Sequence, residues 1–222
     1  MQRRTSLPPH RVRLPQGTTG AEAMLEHLRD QLVFDRDATE VLDCGCGTGR
    51  LSCLLAPFVR RVTAVDESPG LVAELRRDLA AGRVKNVRAF QADLVDLPRQ
   101  LAGREFDLVV AAMVCHHVEP LEKFLLGLKS LLKPDGVLCI IDLQEEDGSF
   151  HAADPSVPHA GFAPADFARL LADCGFFAPT IVEPWAARRS PADAAAGARE
   201  YPLFMALADN APPLPGGEDA WA

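Results

Sequence analysis

Apolar positions along this chain alternate between short solid runs and helical spacings, and each early run closes on an acid. Val41-Leu42 marks a strand expected over 39–44 and containing Asp43. Arg61-Val-Thr-Ala-Val-Asp66 passes from alternating to apolar and stops at a carboxylate. A third segment, Asn86-Val-Arg-Ala-Phe-Gln91, leads into Ala92-Asp93-Leu94. Leu51, Leu54 and Leu55 predict a helix over 48–57. Leu71, Val72, Leu75 and Leu79 predict another over 69–81, with Ser68 as its cap and Pro69 at its first position. The same reading places helices over 21–35, 119–132 and 164–174, and strands over 106–112, 136–143, 178–184 and 200–208. Strands alternating with helices argue a single doubly wound α/β sheet.

The first strand runs into Gly45-Cys46-Gly47-Thr48-Gly49-Arg50. Three glycines at alternate positions leave a ligand room against bare backbone. Strand, glycine turn and helix form half of a mononucleotide-binding unit. The dinucleotide fingerprint needs glycine at its first, third and sixth positions, and Arg50 is the sixth from Gly45, which argues against an NAD-dependent oxidoreductase. The turn also lacks the Gly-Lys-Ser/Thr ending of a phosphate-binding loop. An adenosine-bearing ligand without a pyrophosphate fits better. Asp66 stands where a second-strand acid can accept both hydrogens of a ribose diol. Asp93 stands where a carboxylate can accept from the amino group of an adenine, with the Leu94 side chain or nearby amides against the ring. Asp96 reads as a turn acid.

With these motifs in order, the chain resembles the class I S-adenosylmethionine-dependent methyltransferases, in the small-molecule branch similar to ubiquinone/menaquinone-type enzymes. Leu42-Asp43-Cys44-Gly45-Cys46-Gly47-Thr48-Gly49 is similar to the family's glycine motif. Phe106-Asp107-Leu108-Val109-Val110-Ala111, followed by His116-His117-Val118, matches its fourth strand, and Leu132-Lys133-Pro134-Asp135-Gly136-Val137-Leu138 its fifth. The resemblance covers 38–143 and continues more weakly to 207. It implies a seven-stranded sheet flanked by helices, six strands parallel and the C-terminal one antiparallel, over a domain spanning 21–208. It implies S-adenosyl-L-methionine as cofactor and S-adenosyl-L-homocysteine as product. The cofactor residues it implies are Asp43, Gly45, Cys46, Gly47, Gly49, Asp66, Glu67, Ala92, Asp93, Leu94 and Ala111, with Asp43 serving the methionyl amino side directly or through water. Residues 1–20 contain no Tyr, Trp or Phe, so the aromatic lid of many relatives has no counterpart there. Glu119-Pro120 replaces the Asp that relatives carry two residues after the His pair.

Composition narrows the picture. At 222 residues one domain is the natural size. A formal charge of −8 argues against gripping nucleic acid. Arg3, Arg4, Arg11 and Arg13 read as a solvated, flexible N-terminal arm over 1–20, and 209–222 as a loose tail. The longest apolar runs, such as Val137 to Ile141, are strand-sized, so no membrane span is expected. No apolar signal core follows the first charges, and a cytoplasmic monomer or homodimer is the expectation. The six cysteines do not form a zinc pattern. Cys115 beside His116-His117 invites a metal or nucleophile reading, but Cys139 and Cys174 look like small core residues and no metal site is expected.

The acceptor crevice should lie beyond the carboxyl ends of the strands. Two segments can wall it: Met113-Val-Cys-His-His117, and an unstructured substrate loop over 144–163 carrying Phe150, His151, His159 and Phe162. Imidazole suits proton removal from an acceptor near neutral pH. His117 is the first choice of base and His151 the second, with His116 structural at a helix start, His159 in a lid turn and Tyr201 in sheet packing. The segment Ala111-Ala112-Met113-Val114 lacks the Asn/Asp-Pro-Pro-Tyr/Phe signature of amino methyltransferases. A small hydrophobic or aromatic acceptor follows, attacked through oxygen before carbon or nitrogen. The alternative is a non-catalytic S-adenosylmethionine-binding regulatory or partner protein; an aminopropyl-transfer enzyme would want an acidic polyamine pocket that the sequence does not display.

Overall fold

The structure is a computed structural model, and it describes residues 2–3, 20–82, 84–152, 154–182, 186–189 and 199–211. Seven strands carry the sheet: β1 (Glu40–Cys44), β2 (Arg61–Asp66), β3 (Val87–Gln91), β4 (Phe106–Ala112), β5 (Leu132–Leu143), β6 (Phe177–Val182) and β7 (Arg199–Asp209). They lie in the order β3-β2-β1-β4-β5-β7-β6. β1 is parallel to β2 and β4, while β7 is antiparallel to both β5 and β6. Six strands thus run one way and the C-terminal one against them, as the resemblance implies. A short strand, Ala186–Arg189, pairs with the start of β7.

The helices are α1 (Gly20–Gln31), α2 (Arg50–Leu55), α3 (Pro69–Ala81), α4 (Leu97–Gln100), α5 (Leu121–Ser130) and α6 (Pro164–Asp173). Leu28, Leu55, Val72 and Leu75 of α1 to α3 pack on one sheet face, against Val41, Val62, Leu108 and Ile141. Phe124, Leu125, Phe167 and Leu171 of α5 and α6 pack on the other, against Leu42, Val109, Ile140 and Phe204. Strand residues alternate between the two cores, so the central strands are apolar on both faces. At the amino ends of β1 and β4, Asp107 accepts from the Glu40 amide (2.8 Å) and from Lys133 Nζ (2.9 Å), which ties three strands together.

Several boundaries differ from expectation for local reasons. Pro57 lacks an N–H, and the segment expected as one helix over 48–57 becomes α2 followed by a 3₁₀ turn, Ala56–Phe58. The helix expected to 132 stops at Ser130, and β5 begins at Leu132 rather than 136. Leu132 pairs with Phe106, and the register then shifts so that Val137 meets Leu108; this irregularity absorbs Pro134. The loose tail expected from 209 does not hold for 209–211. Asn210 donates through Nδ2 to the Leu132 and Lys133 carbonyls and accepts from Lys129 Nζ (2.9 Å). Gln2 and Arg3 pair with Val33 and Leu32, so the arm expected over 1–20 has a paired start. Residues 4–19 and 212–222 lie outside the described residues. Among the described residues no helix is long and apolar enough to cross a membrane.

Candidate active site

β1 lies between β2 and β4, where the chain's winding reverses, and its carboxyl end opens into the crevice such sheets use for ligands. The glycine turn leaves β1 there. Gly45 and Cys46 both donate to the Val65 carbonyl (2.8 and 2.9 Å), and Gly47 donates to Asp66 Oδ2 (2.8 Å). The turn is therefore held against the end of β2. All three glycines have positive φ, but they serve different ends. A Cβ at Gly45 would meet Val114 at 2.3 Å and one at Gly49 would meet Leu75 at 2.4 Å, whereas at Gly47 it would meet nothing within 4 Å. Gly45 and Gly49 let the turn pack; Gly47 alone faces open space. Gly49→Ala combines left-handed strain with overpacking, and is expected to lower unfolding free energy by about 2 kcal/mol. Urea unfolding checks this, and an unchanged midpoint would refute it.

Asp66 Oδ1 accepts from the Ser68 amide (2.9 Å), and Ser68 Oγ in turn caps α3 by accepting from the Leu71 amide. Glu67 accepts from the Leu94 amide (3.1 Å). The Leu94 amide is thus held by Glu67, and its side chain is buried. Asp93 is exposed at the end of β3, with Oδ1 accepting from Val95 and Asp96 amides in a tight turn. Ala92 is buried and Ala111 fully enclosed in the core beneath the crevice, so Ala111 offers no surface to a ligand. Asp43 is also buried, and Ser52 Oγ donates to it at 2.5 Å. Desolvation pushes the Asp43 carboxyl up to about 6, with the Ser52 bond opposing and the Asp66 charge adding to the rise. Asp43 is thus a buried acid beneath the glycine turn.

β4 ends at Ala112, and a 3₁₀ turn, Cys115–His117, brings the imidazoles of His116 and His117 together with that of His151. His116 is buried, its Nδ1 2.5 Å from Asp142 Oδ1 on β5, and its Nε2 3.0 Å from His151 Nε2. His117 is exposed beside them, its ring centroid 4.2 Å from that of His116 and 4.8 Å from that of His151. Partial desolvation, then the neighbouring imidazoles, hold His117 below its usual range and leave it neutral. The two expected bases are adjacent, and the residue between them, His116, was read only as structural. Its link to Asp142 had no local signal, because 26 residues separate the pair. Cys115 is fully buried and its thiol pushed well above the usual range by burial, so it is no nucleophile.

The loop over 144–163, expected to be unstructured, is pinned at its neck. Gln144 bridges Phe162, and the Glu146 amide donates to the Ala160 carbonyl (2.9 Å). A short 3₁₀ turn, Ser149–His151, aims His151 inward. Phe150 stacks edge-on against Tyr201 of β7, and Ser149 Oγ meets the Tyr201 hydroxyl at 3.0 Å. His159 receives a position of its own, 3.2 Å from the Val118 carbonyl. A half-open hollow of about 150 Å³ beside His151 is lined by Glu146, Asp154, Val157, His159 and Ala160.

Glycine turn, strand-end acids and strand order together define the architecture. The fold is the Rossmann-like methyltransferase fold. Residues 41–136 match the family described as Methyltransferase domain. An uncharacterised methyltransferase of Schizosaccharomyces pombe is 29% identical over 151 residues, 62% of this chain and 53% of that protein. A ubiquinone biosynthesis O-methyltransferase of Azorhizobium caulinodans is 33% identical over 141 residues, 58% of this chain and 54% of that one. The chain therefore spans about half the length of these curated relatives. Among solved structures, the YcgJ protein of Bacillus subtilis superposes with a TM-score of 0.71 at 17% identity, covering 87% of this chain and 98% of that one. A SAM-dependent methyltransferase of Aquifex aeolicus gives 0.62 at 21% identity, covering 86% and 89%. At these identities the superpositions speak for the methyltransferase fold alone.

Proposed function

We propose that this chain transfers a methyl group from S-adenosylmethionine to an oxygen of a small, hydrophobic or aromatic acceptor. The observation that carries the reading is the pairing, across adjacent ends of β1 and β4, of an open glycine turn bound to Asp66 with the cluster of His116, His117 and His151. The fit to the cofactor rests on Gly47, whose missing side chain leaves space at the turn, and on Asp66, whose carboxylate retains lone pairs for a ribose diol after taking two amides. Asp43 adds a buried negative charge toward the cationic methionyl end. Bound adenosylmethionine supplies a methyl carbon made electrophilic by its sulfonium.

The chain's own residues then align and deprotonate. The acceptor hydroxyl gives its proton to His117, while His151, His116 and Asp142 hold the imidazoles in register behind it. The acceptor oxygen bonds to the methyl carbon as the carbon–sulfur bond breaks, and that bond's electron pair stays on sulfur. Oxygen is favoured over carbon or nitrogen because an imidazole base matches a hydroxyl proton, and the Azorhizobium relative is named for O-methylation. We extend the reading to action in the cytoplasm on a freely diffusing acceptor, without nucleic acid.

Calorimetry with adenosylhomocysteine tests the cofactor half. The wild type is expected to bind at about micromolar strength, and Asp66→Ala to bind at least about tenfold more weakly. Gly47→Ala, which fills the open space, is expected to lose roughly tenfold as well while keeping its unfolding free energy within about 1–2 kcal/mol of wild type. No measurable wild-type binding would sink the reading. Binding without turnover across a panel of small phenols, catechols and amines would instead favour the non-catalytic alternative.

A further inference from the structure

We propose that His116, His117 and His151 form a binding site for one divalent transition-metal ion such as Zn²⁺ or Co²⁺. One ligand nitrogen from each ring lies within 4.8 Å of the others. Nitrogens bound to a common tetrahedral ion sit roughly 3.4 Å apart, so a small rotation of the exposed His117 ring closes the set. The His116 and Leu143 amides both donate to the Asp142 carboxylate, and His116 Nδ1 lies 2.5 Å from its Oδ1. Nδ1 therefore carries the proton, and the Nε2 lone pair points into the cluster. A carboxylate–imidazole pair of this kind is the usual outer support of a metal-bound histidine. His151 Nε2, 3.0 Å away, faces that same lone pair and completes the donor geometry once its own proton is displaced. Three imidazoles select zinc, cobalt, nickel or copper over magnesium or calcium.

The donors come from two segments, the turn after β4 and the substrate loop, so an ion would also fasten that loop over the crevice. Three protein ligands leave a coordination position, which suits an acceptor hydroxyl and acidifies it. That last consequence rests on the methyl-transfer reading; the ion site itself does not. In the ion-free protein His117 takes the acceptor's proton, and in the loaded protein the coordinated, acidified hydroxyl gives its proton to solvent water.

The test uses untagged, chelator-stripped protein without cofactor or acceptor. Zn²⁺ is titrated calorimetrically, and Co²⁺ is followed by its visible absorption. One ion per chain is expected, with tetrahedral cobalt bands that Zn²⁺ abolishes. His117→Ala and His151→Ala should each weaken Zn²⁺ binding by about tenfold or more, and Asp142→Asn by about 10–100-fold. Asp142 is fully buried and its variant is at risk of misfolding, whereas His117 is exposed and keeps the test decisive. Adenosylhomocysteine binding, read on every variant, reports the fold separately. Absence of saturable Zn²⁺ binding by the wild type, or binding untouched by both His117→Ala and His151→Ala, overturns the site. Either result with intact adenosylhomocysteine binding leaves the methyl-transfer reading standing.

Discussion

His117→Ala is expected to reduce turnover by about a hundredfold or more while leaving adenosylhomocysteine affinity within about twofold of wild type. The split follows from position. His117 sits in the turn after β4 and is exposed, so its removal opens no cavity in either core. The turn from Gly45 to Gly49 and Asp66 are tied to β1 and β2 by their own hydrogen bonds. A residue acting only in proton removal changes kcat and kcat/KM together and leaves ground-state binding alone. The measurement is initial-rate formation of adenosylhomocysteine at saturating cofactor, on whichever panel acceptor the wild type methylates. His151→Ala should fall less, since His151 stands behind His117 and steadies His116 through the 3.0 Å contact. Should both variants keep full activity, the acceptor needs no base and the imidazole cluster serves only as structure or as the ion site.

Much of this arrangement was legible because it is local. A strand, a turn with glycine at alternate positions and a helix are contiguous, and the φ values of Gly45, Gly47 and Gly49 bear out the need for glycine. Ser68 and Pro69 announce the start of α3 from adjacent residues alone, and α3 begins at Pro69. What was not legible depends on contacts far apart in sequence. Asp142 meets His116 across 26 residues, from the neighbouring strand β5. Asp142 itself lies in an apolar strand, where a sequence offers no reason to single it out. Asn210 is another such case: as one polar residue beyond β7, it suggests a tail, yet it satisfies carbonyls at the start of β5. The loop over 144–163 hid its order for a related reason. Its neck depends on Gly161, where φ is +81° and a Cβ would meet the Gln144 carbonyl oxygen at 2.2 Å, a constraint visible only once the two ends are side by side.

Asp43→Asn should change the pH dependence of stability more than stability at any single pH. Burial raises the folded-state Asp43 carboxyl to about 6, against 3.8 as its ordinary value. Between about pH 4 and pH 6 the folded protein holds a proton that the unfolded chain has lost, so stability falls as pH rises through that window. Above it the carboxylate is ionised in both states and the full penalty of burying the charge stands. The amount is about 3 kcal/mol, from a difference of roughly two pH units. Asparagine cannot ionise and retains an oxygen to accept from Ser52. The variant's stability relative to wild type should therefore increase by about 3 kcal/mol between pH 4 and pH 7, whatever fixed cost the amide group brings. Urea unfolding at a series of pH values measures this, and parallel curves would show that Asp43 carries no shifted proton. The same substitution removes the negative charge beneath the glycine turn, so adenosylmethionine binding at pH 7 should weaken by about tenfold or more. On the proposed methyl-transfer reading, the sulfonium and ammonium charges of adenosylmethionine favour the ionised form of Asp43 that folding alone disfavours.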